Sequence, residues 1–361
     1  MPSGSEMSSR AERTVSDMSM WYEKYGKEQD VVLSTKAFIV RNIKGYNFPD
    51  KMSDSDFDSL EDKIDEAVDK TVTGNIWSAN ALGSGDSTDS SLLTPESQLF
   101  GINMGILRHP EHKRIYYNDD AGLSVVVGSG EHLTIRAMSA GYDPSVYSKA
   151  ESIAVNLERK LDMAYSDRYG FLTSNLKLTG TGFKMLYTVA IPAISKSNGA
   201  LTTLRQRVGQ YYWDIYPFAE QGELGNSGVY IITNVSTMGV SEDEIIKRGE
   251  KLLSDIIQFE RALREKVATK NKVQTSDMYG RAYGLLRYAS IINRKEAIDA
   301  LSWLRVFKEY DDLGEVNISW EKINKLTQDV CWEFIPTIKR NSTDAAAIRA
   351  AKIKTILKGD D

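Results

Sequence analysis

Residues 170–185, GFLTSNLKLTGTGFKM, have the spacing of a phosphate-binding turn but lack its usual reactive side chains. A short apolar strand leads into a turn, and the T-G-T-G run at 179–182 predicts a helix start, where backbone N–H groups bind anions. The turn itself reads N-L-K-L (175–178), and none of these residues is a nucleophile. The stretch therefore predicts a frame for phosphate without the groups that would act on it.

Composition and charge exclude several classes of partner and site. The chain has 45 Lys and Arg against 50 Asp and Glu, with no sustained basic block, so neither nucleic acid nor an anionic membrane is an expected partner. The N-terminus lacks the apolar core of a signal peptide, and Cys331 is the single cysteine, which favours a cytoplasmic protein. The three histidines, His109, His112 and His132, form no ligand-like array, so no metal site is expected.

Hydrophobic periodicity divides the chain into a mixed region and a helical region. Strands are predicted at 30–42 and, with two intervening turns, three times within 115–139. Helices are predicted at 54–71, 145–165, 183–192, 241–267, 318–330 and 343–357. Asn293 and Glu296 have the spacing of a capping box, which predicts another helix start. ALGSGDSTDSS (81–91) has the composition of a flexible loop.

Several stretches together resemble the ATP:guanido phosphotransferase family, and in particular its bacterial protein-arginine kinase branch. LSVVVGSGEHLTIRAM (123–138) parallels that branch's N-E-E-D-H-x-R-I block, and residues 170–185 parallel its G-[FY]-L-T-x-C-P-T-N-x-G-T-G-x-R-A block. Residues 21–49, 229–246 and 281–305 resemble other blocks in the same order. The resemblance extends over roughly residues 20–355.

The resemblance implies a fold, a domain division and a reaction. The fold is α+β: an antiparallel β-sheet flanked by helices, as in the glutamine-synthetase-like guanido kinase catalytic domain, followed by an all-helical dimerisation domain. We accordingly expect a disordered tail at 1–19, an ATP:guanido phosphotransferase-like domain at 20–240 and a helical domain at 241–361. The implied reaction moves the γ-phosphoryl group of Mg-ATP to a guanidinium, with arginine forks gripping the triphosphate.

The arginines that the family uses to grip the triphosphate are replaced in this sequence. Their positions are occupied by Lys36, Phe38, Thr134, Lys184 and Tyr216, two lysines and three uncharged side chains. The remaining nucleotide-binding positions implied by the resemblance are Ser34, Thr35 and His132, the last against adenine. A lysine supplies a point charge without the bidentate fork. Loss of one transition-state donor commonly costs about 10²–10³ in rate, so these replacements predict a vestigial nucleotide site.

The positions that would perform the chemistry are also replaced. The family's carboxylate base falls at Ser129, its cysteine falls at Asn175, and Glu131 is the nearby carboxylate that remains as a candidate displaced base. Near the C-terminus, Arg349 is the one arginine left of the family's R-D-x-x-R-A phosphoarginine site. No catalytic set is therefore intact.

These departures favour a catalytically inactive protein-arginine kinase homologue that needs no cofactor. The resemblance implies that it pairs with itself or with an active protein-arginine kinase through the helical domain, and that it is linked to protein quality control and a Clp-type protease. Two alternatives stay open. One is an active phosphotransferase with an altered site, which would use ATP and Mg²⁺; the other is a binding module. In the latter, Phe38, Leu176, Leu178 and Tyr216 would line a pocket for a ligand less anionic than ATP.

Overall fold

The computed structural model describes residues 21–68, 75–78, 114–118, 120, 122–128, 130–218, 228–270, 272–308, 310, 318–331 and 343–358. The predicted tail at 1–19 and the predicted loop at 81–91 lie outside these residues. Ser129, His109 and His112 lie outside them as well.

An eight-stranded antiparallel sheet forms the centre of the fold, in the order β2-β3-β4-β5-β1-β8-β10-β9. Its strands are β1 (Val32–Arg41), β2 (Asn75–Ser78), β3 (Arg114–Tyr117), β4 (Leu123–Val127), β5 (Leu133–Ala140), β8 (Phe183–Ala190), β9 (Trp213–Pro217) and β10 (Val229–Asn234). A separate hairpin joins β6 (Tyr165–Ser166) to β7 (Gly170–Phe171). The antiparallel α+β fold is confirmed, as are the three strands predicted within 115–139.

Helices cover one face of the sheet and form the C-terminal region. They are α1 (Asp54–Val68), α2 (Val146–Glu158), α3 (Pro192–Lys196), α4 (Ala200–Gln210), α5 (Glu242–Lys270), α6 (Lys272–Tyr288), α7 (Arg294–Phe307), α8 (Trp320–Cys331) and α9 (Thr343–Leu357). Apolar side chains of α1, α2 and α5 pack with alternate residues of the central strands, among them Ala37 and Ile39 of β1, in one buried core. The other face of the sheet carries the remaining, more polar residues.

The helix predicted over 183–192 is wrong, because β8 occupies Phe183–Ala190. The segment FKMLYTVA alternates, so that Phe183, Met185, Tyr187 and Val189 are all fully buried on the core face. The helices predicted at 54–71, 241–267, 318–330 and 343–357 are confirmed, with ends shifted by at most three residues. The helix predicted at 145–165 is confirmed only as far as Glu158, and Tyr165 belongs to β6. The period of two over these eight residues is typical of a strand, although a short apolar run also fits a helix.

The C-terminal helices have a second apolar core of their own, built mainly from α6, α7, α8 and α9. The capping box predicted at the start of α7 is confirmed: Asn293 Oδ1 accepts from the Glu296 backbone N–H at 2.9 Å, and Glu296 Oε2 accepts from the Asn293 N–H at 3.0 Å. No helix in the described part of the chain is long and apolar enough to cross a membrane.

A buried ion pair on α5 ties several segments to the sheet. Arg264 is 2% exposed; its Nε donates to Glu260 at 2.8 Å, and its Nη2 donates to the backbone carbonyls of Asp30 and Ala190 at 3.0 and 3.1 Å. The Glu260 carboxylate also accepts two backbone N–H groups at the start of α3. Burial raises the pKa of Glu260, and Arg264 opposes this rise. The pair therefore connects α5, α3, β8 and the segment before β1.

We expect Arg264→Met to destabilise the protein by about 3–5 kcal/mol, because it leaves the Glu260 carboxylate buried without its cation. Chemical denaturation of the full chain measures this loss. Arg281→Met is the matched control: the Arg281–Asp277 pair lies on the surface of α6, so its loss should leave stability nearly unchanged. Equal stability of the two variants would contradict the role assigned to Arg264.

Candidate functional site

The polar face of the sheet carries three cationic side chains on three adjacent strands. Phe38 of β1 lies opposite Arg136 of β5 on one side and opposite Lys184 of β8 on the other. Lys36 precedes Phe38 by two residues and therefore points to the same face. Residues directly opposite in an antiparallel ladder have Cβ atoms about 4.5–5.5 Å apart, so Arg136 and Lys184 flank the Phe38 ring.

The environment of these cations is partly dehydrated. The Arg136 guanidinium is 7% exposed and lies 5.2 Å from the centroid of the Phe38 ring; burial lowers its pKa to about 10. Lys36 is 8% exposed, and its Nζ lies 5.3 Å from the centroid of the Trp21 ring. Burial also lowers the pKa of Lys184, which is half-buried. Lys184 is therefore the most accessible cation of the three.

Most residues predicted for the vestigial nucleotide site lie on this face. The strand register gives Ser34, Lys36, Phe38, Thr134 and Lys184 one orientation, and Tyr216 shares it on the edge strand β9. Thr35 is the exception, because it points to the opposite face, where its Oγ1 donates to the Gly141 carbonyl at 2.7 Å. The hydroxyl of Thr35 thus has a structural partner and does not face the predicted site.

Glu131, the candidate displaced base, is held by hydrogen bonds on both carboxylate oxygens. Oε2 accepts from Asn42 Nδ2 at 2.6 Å and from the Ser174 N–H at 2.8 Å. Oε1 accepts from the Asn175 N–H at 3.1 Å, and the Ser174 hydroxyl lies 2.9 Å away from it. A carboxylate has about four acceptor positions, and the side chain is only 4% exposed. Glu131 therefore fastens the loop at 174–175 to the end of β1 and has no acceptor left for a substrate proton.

His132 is buried and uses both ring nitrogens within the fold. Nδ1 accepts the Ile43 backbone N–H at 2.9 Å, so Nε2 carries the proton and donates to the Asn47 carbonyl at 2.8 Å. Tyr46 packs edge-on against the ring, with centroids 6.2 Å apart. The ring is fully buried, so it offers no face on which an adenine could stack.

The T-G-T-G run does not begin a helix, and the anion-binding frame predicted from it is wrong. Gly180 and Gly182 have φ of 120° and 65°, and the chain continues directly into β8. The Gly180 N–H donates to the Phe171 carbonyl and the Thr181 N–H donates to the Thr237 carbonyl, each at 3.1 Å. These N–H groups pair with backbone carbonyls, so they are not available to a phosphate.

Asn175 and Arg349 both have local structural roles. Asn175 is exposed, and its Oδ1 accepts from the Lys177 N–H at 3.1 Å, which caps the short 3₁₀ turn Leu176–Leu178. The two leucines predicted for an apolar pocket lie on this turn instead of on the sheet face, and Leu176 is 80% exposed. Arg349 is only 4% exposed, and its Nη1 donates to the Ile292 carbonyl at 2.6 Å.

Arg136 is the residue of this face that sequence reasoning missed. The family pattern drew attention to Thr134, where an arginine is expected, and not to the arginine two residues later. Because side chains alternate along a strand, Arg136 has the same orientation as Thr134, so the period of β5 was the signal that could have identified it. Across the described residues, no cluster of three or more His, Cys, Asp or Glu side chains is arranged to hold a metal ion.

Comparison with known protein families finds a match over more than half of the chain. The model of the ATP:guanido phosphotransferase C-terminal catalytic domain matches residues 59–263. A protein-arginine kinase of Clostridium novyi is 25% identical over 353 residues, covering 95% of this chain and 99% of that protein. A protein-arginine kinase of Clostridium acetobutylicum is 27% identical over 313 residues, covering 86% of this chain and 90% of that protein.

Solved structures with the same fold come from a phosphagen kinase. The duplicated taurocyamine kinase of Schistosoma mansoni, with bound transition-state analogue components, matches with a TM-score of 0.52 at 20% identity, covering 69% of this chain and 35% of that one. Its substrate-free form matches with a TM-score of 0.54 at 15% identity, covering 81% and 49%. This chain thus spans between about a third and a half of the duplicated kinase, and the likeness concerns the fold.

Protonation of His132 gives a testable pH dependence of stability. Burial lowers the pKa of His132 below its ordinary value of 6.5, so the unfolded chain binds this proton at a higher pH than the folded chain does. The contribution of His132 is therefore complete above pH 6.5 and is lost as the pH falls below it, by at most ~1.4 kcal/mol per pH unit. His132→Gln should flatten the dependence of unfolding free energy on pH between 5 and 7. His109 and His112 are common to both proteins, so equal slopes would contradict a buried neutral His132.

Proposed function

The chain belongs to the ATP:guanido phosphotransferase family, and we propose that it is a catalytically inactive homologue of the protein-arginine kinases that acts by association. Kinases of this family use ATP and Mg²⁺, and the relatives covering nearly all of this chain are protein-arginine kinases. In this proposal the chain keeps the fold of such a kinase and has lost the ability to transfer a phosphoryl group.

The state of Glu131 is the observation that carries this proposal. A general base must have an acceptor oxygen within hydrogen-bond reach of the substrate proton. Both oxygens of Glu131 are already bound to donors from Asn42, Ser174 and Asn175, at 2.6–3.1 Å. Freeing one oxygen would break a hydrogen bond that fastens the loop at 174–175. The carboxylate therefore has a structural role and is not available as a base.

The cations of the polar face support the same conclusion. Lys36 and Lys184 supply point charges where the family pattern has arginines, and neither can grip a phosphate through two parallel hydrogen bonds. Arg136 has such a fork, but it is 7% exposed and packs against Phe38. A transition state with charge spread over several phosphoryl oxygens would therefore lack its clamp.

The proposed role is regulation of an active protein-arginine kinase in protein quality control, together with a Clp-type protease. The helical region supplies a surface for such a partner. The Ile292 N–H donates to the Ala346 carbonyl at 3.2 Å, which joins the segment after α6 to α9. Around this contact Tyr288, Ile291 and Ile348 are 75%, 55% and 56% exposed. Exposed apolar side chains of this kind would be removed from water by contact with a protein partner.

We expect no phosphoryl transfer from γ-labelled ATP to an arginine-rich protein, because the base and the arginine forks are both absent. The assay measures acid-labile label on the acceptor protein, with an active protein-arginine kinase as the positive control. Turnover that disappears in the Lys36→Ala and Lys184→Ala variants would show that the altered site is a working enzyme and would refute the proposal.

We expect the full chain to form a complex with an active protein-arginine kinase through its helical region. Analytical ultracentrifugation of the mixture should show a species heavier than either component alone. Ile348→Asp should weaken this complex by introducing charge into an apolar contact, whereas Ile348→Leu should preserve it. Sedimentation of the mixture as two independent components would reject the partnership, even if the protein proves inactive in the transfer assay.

A further inference from the structure

We propose that the sheet face beside Phe38 binds a small organic monoanion, in which one carboxylate is attached to an apolar aryl or alkyl body. The proposal goes beyond the inactive-kinase function, because it assigns a ligand class that does not depend on phosphoryl transfer or on a protein partner. It rests on an apolar floor, an accessible cation and one buried hydroxyl that lacks a partner.

The floor of this surface, termed here the apolar floor, consists of four side chains: Phe38, Leu186, Ile231 and Tyr216. The ladder places them on the polar face: Leu186 lies opposite Lys36, Ile231 opposite Thr188, and Tyr216 opposite Ile231. Tyr216 is 38% exposed and the other three are half-buried. Since β1, β8, β10 and β9 are consecutive in the sheet, the apolar floor spans three strand spacings, about 14 Å.

Lys184 supplies the accessible positive charge at one end of the apolar floor. Burial lowers its pKa and the positive charge of Lys177 lowers it further, so this is an incompletely hydrated cation with a second cation nearby. Lys36 and Arg136 are each less than a tenth exposed, so they are not open to direct contact. An anionic group placed beside Lys184 would therefore meet this cation directly, with the exposed Lys177 nearby.

Thr233 provides the independent observation that points to a ligand. It lies on β10 directly opposite Leu186, between the floor residues, and is 3% exposed. Its Oγ1 is buried and has no hydrogen-bond partner within the described structure. A buried hydroxyl without a partner costs free energy, and a ligand oxygen that displaces the side chains covering this hydroxyl beside Leu186 would supply the missing partner.

The same features disfavour a polyanion such as a nucleoside triphosphate. Asp214 is exposed on β9 opposite Thr233, and its negative charge acts on Lys184. Lys184 and the exposed Lys177 are two open cations, and Asp214 is one carboxylate nearby, so the net charge balances a single negative charge. Three phosphates would be repelled by Asp214 and would cover apolar surface. Burial of an apolar body on the floor contributes about 25 cal/mol per Å². Charge and apolar area together therefore select an amphiphilic monoanion.

Isothermal titration calorimetry of the full chain with benzoate, 4-phenylbutyrate and octanoate tests this inference. We expect the two larger carboxylates to bind more tightly than benzoate, since they cover more of the apolar floor, and the neutral 4-phenylbutanamide to bind at least about tenfold more weakly than 4-phenylbutyrate. Mg-ATP should bind more weakly than 4-phenylbutyrate. Tighter binding of Mg-ATP, equal binding of amide and carboxylate, or no heat with any carboxylate would overturn the proposal.

Matched variants locate the site. Lys184→Gln should weaken 4-phenylbutyrate binding about tenfold, and Lys184→Arg should retain it. Lys266→Gln makes the same charge change on an exposed position of α5, across the sheet, and should leave binding unchanged. Tyr216→Ser should weaken octanoate binding through lost apolar contact. Equal affinities of the Lys184→Gln and Lys266→Gln proteins would place any binding elsewhere. None of these results depends on the transfer assay, so the two proposals fail separately.

Discussion

The pairing of β1 with both β5 and β8 is the constraint on which the rest of this structure depends. Because side chains alternate along each strand, this one register assigns every residue of three strands to a face. The side chains of Ala37 and Ile39 are buried in the core between the sheet and its helices, while those of Lys36 and Phe38 lie on the other face of the sheet. A shift of β1 by one residue would bury the Lys36 charge and expose the core, so the apolar core fixes the cationic face as firmly as it fixes the fold.

Polar groups at the end of β1 are held in place by hydrogen-bond partners from the fold itself. Glu131 and His132 follow Ser129 by two and three residues in the sequence, and their hydrogen bonds are directed to Asn42, Ile43 and the loop at 174–175. A buried polar group needs partners whether or not it reacts. Here the partners come from the fold itself, which stabilises the loop and leaves the side chains unavailable.

Three buried arginines of this protein donate hydrogen bonds to backbone carbonyls. Arg264 donates to the Asp30 and Ala190 carbonyls, Arg305 to the Gln29 carbonyl and Arg349 to the Ile292 carbonyl, and all three are at most 4% exposed. These contacts join α5, α7 and α9 to neighbouring segments. These three guanidinium groups therefore stabilise the arrangement of the elements.

The sequence by itself determined the fold class and most helices, because hydrophobic period and ordered motifs are local properties of the chain. It wrongly predicted a helix at 183–192 and a helix start at the T-G-T-G run. A short apolar segment fits a helix and a buried strand equally well until its neighbours are known. Only the tertiary structure decided that Arg136 and Lys184 lie on either side of Phe38, and that both carboxylate oxygens of Glu131 accept hydrogen bonds. Those facts depend on residues that are distant in sequence, and the register of the folded sheet is what brings them together.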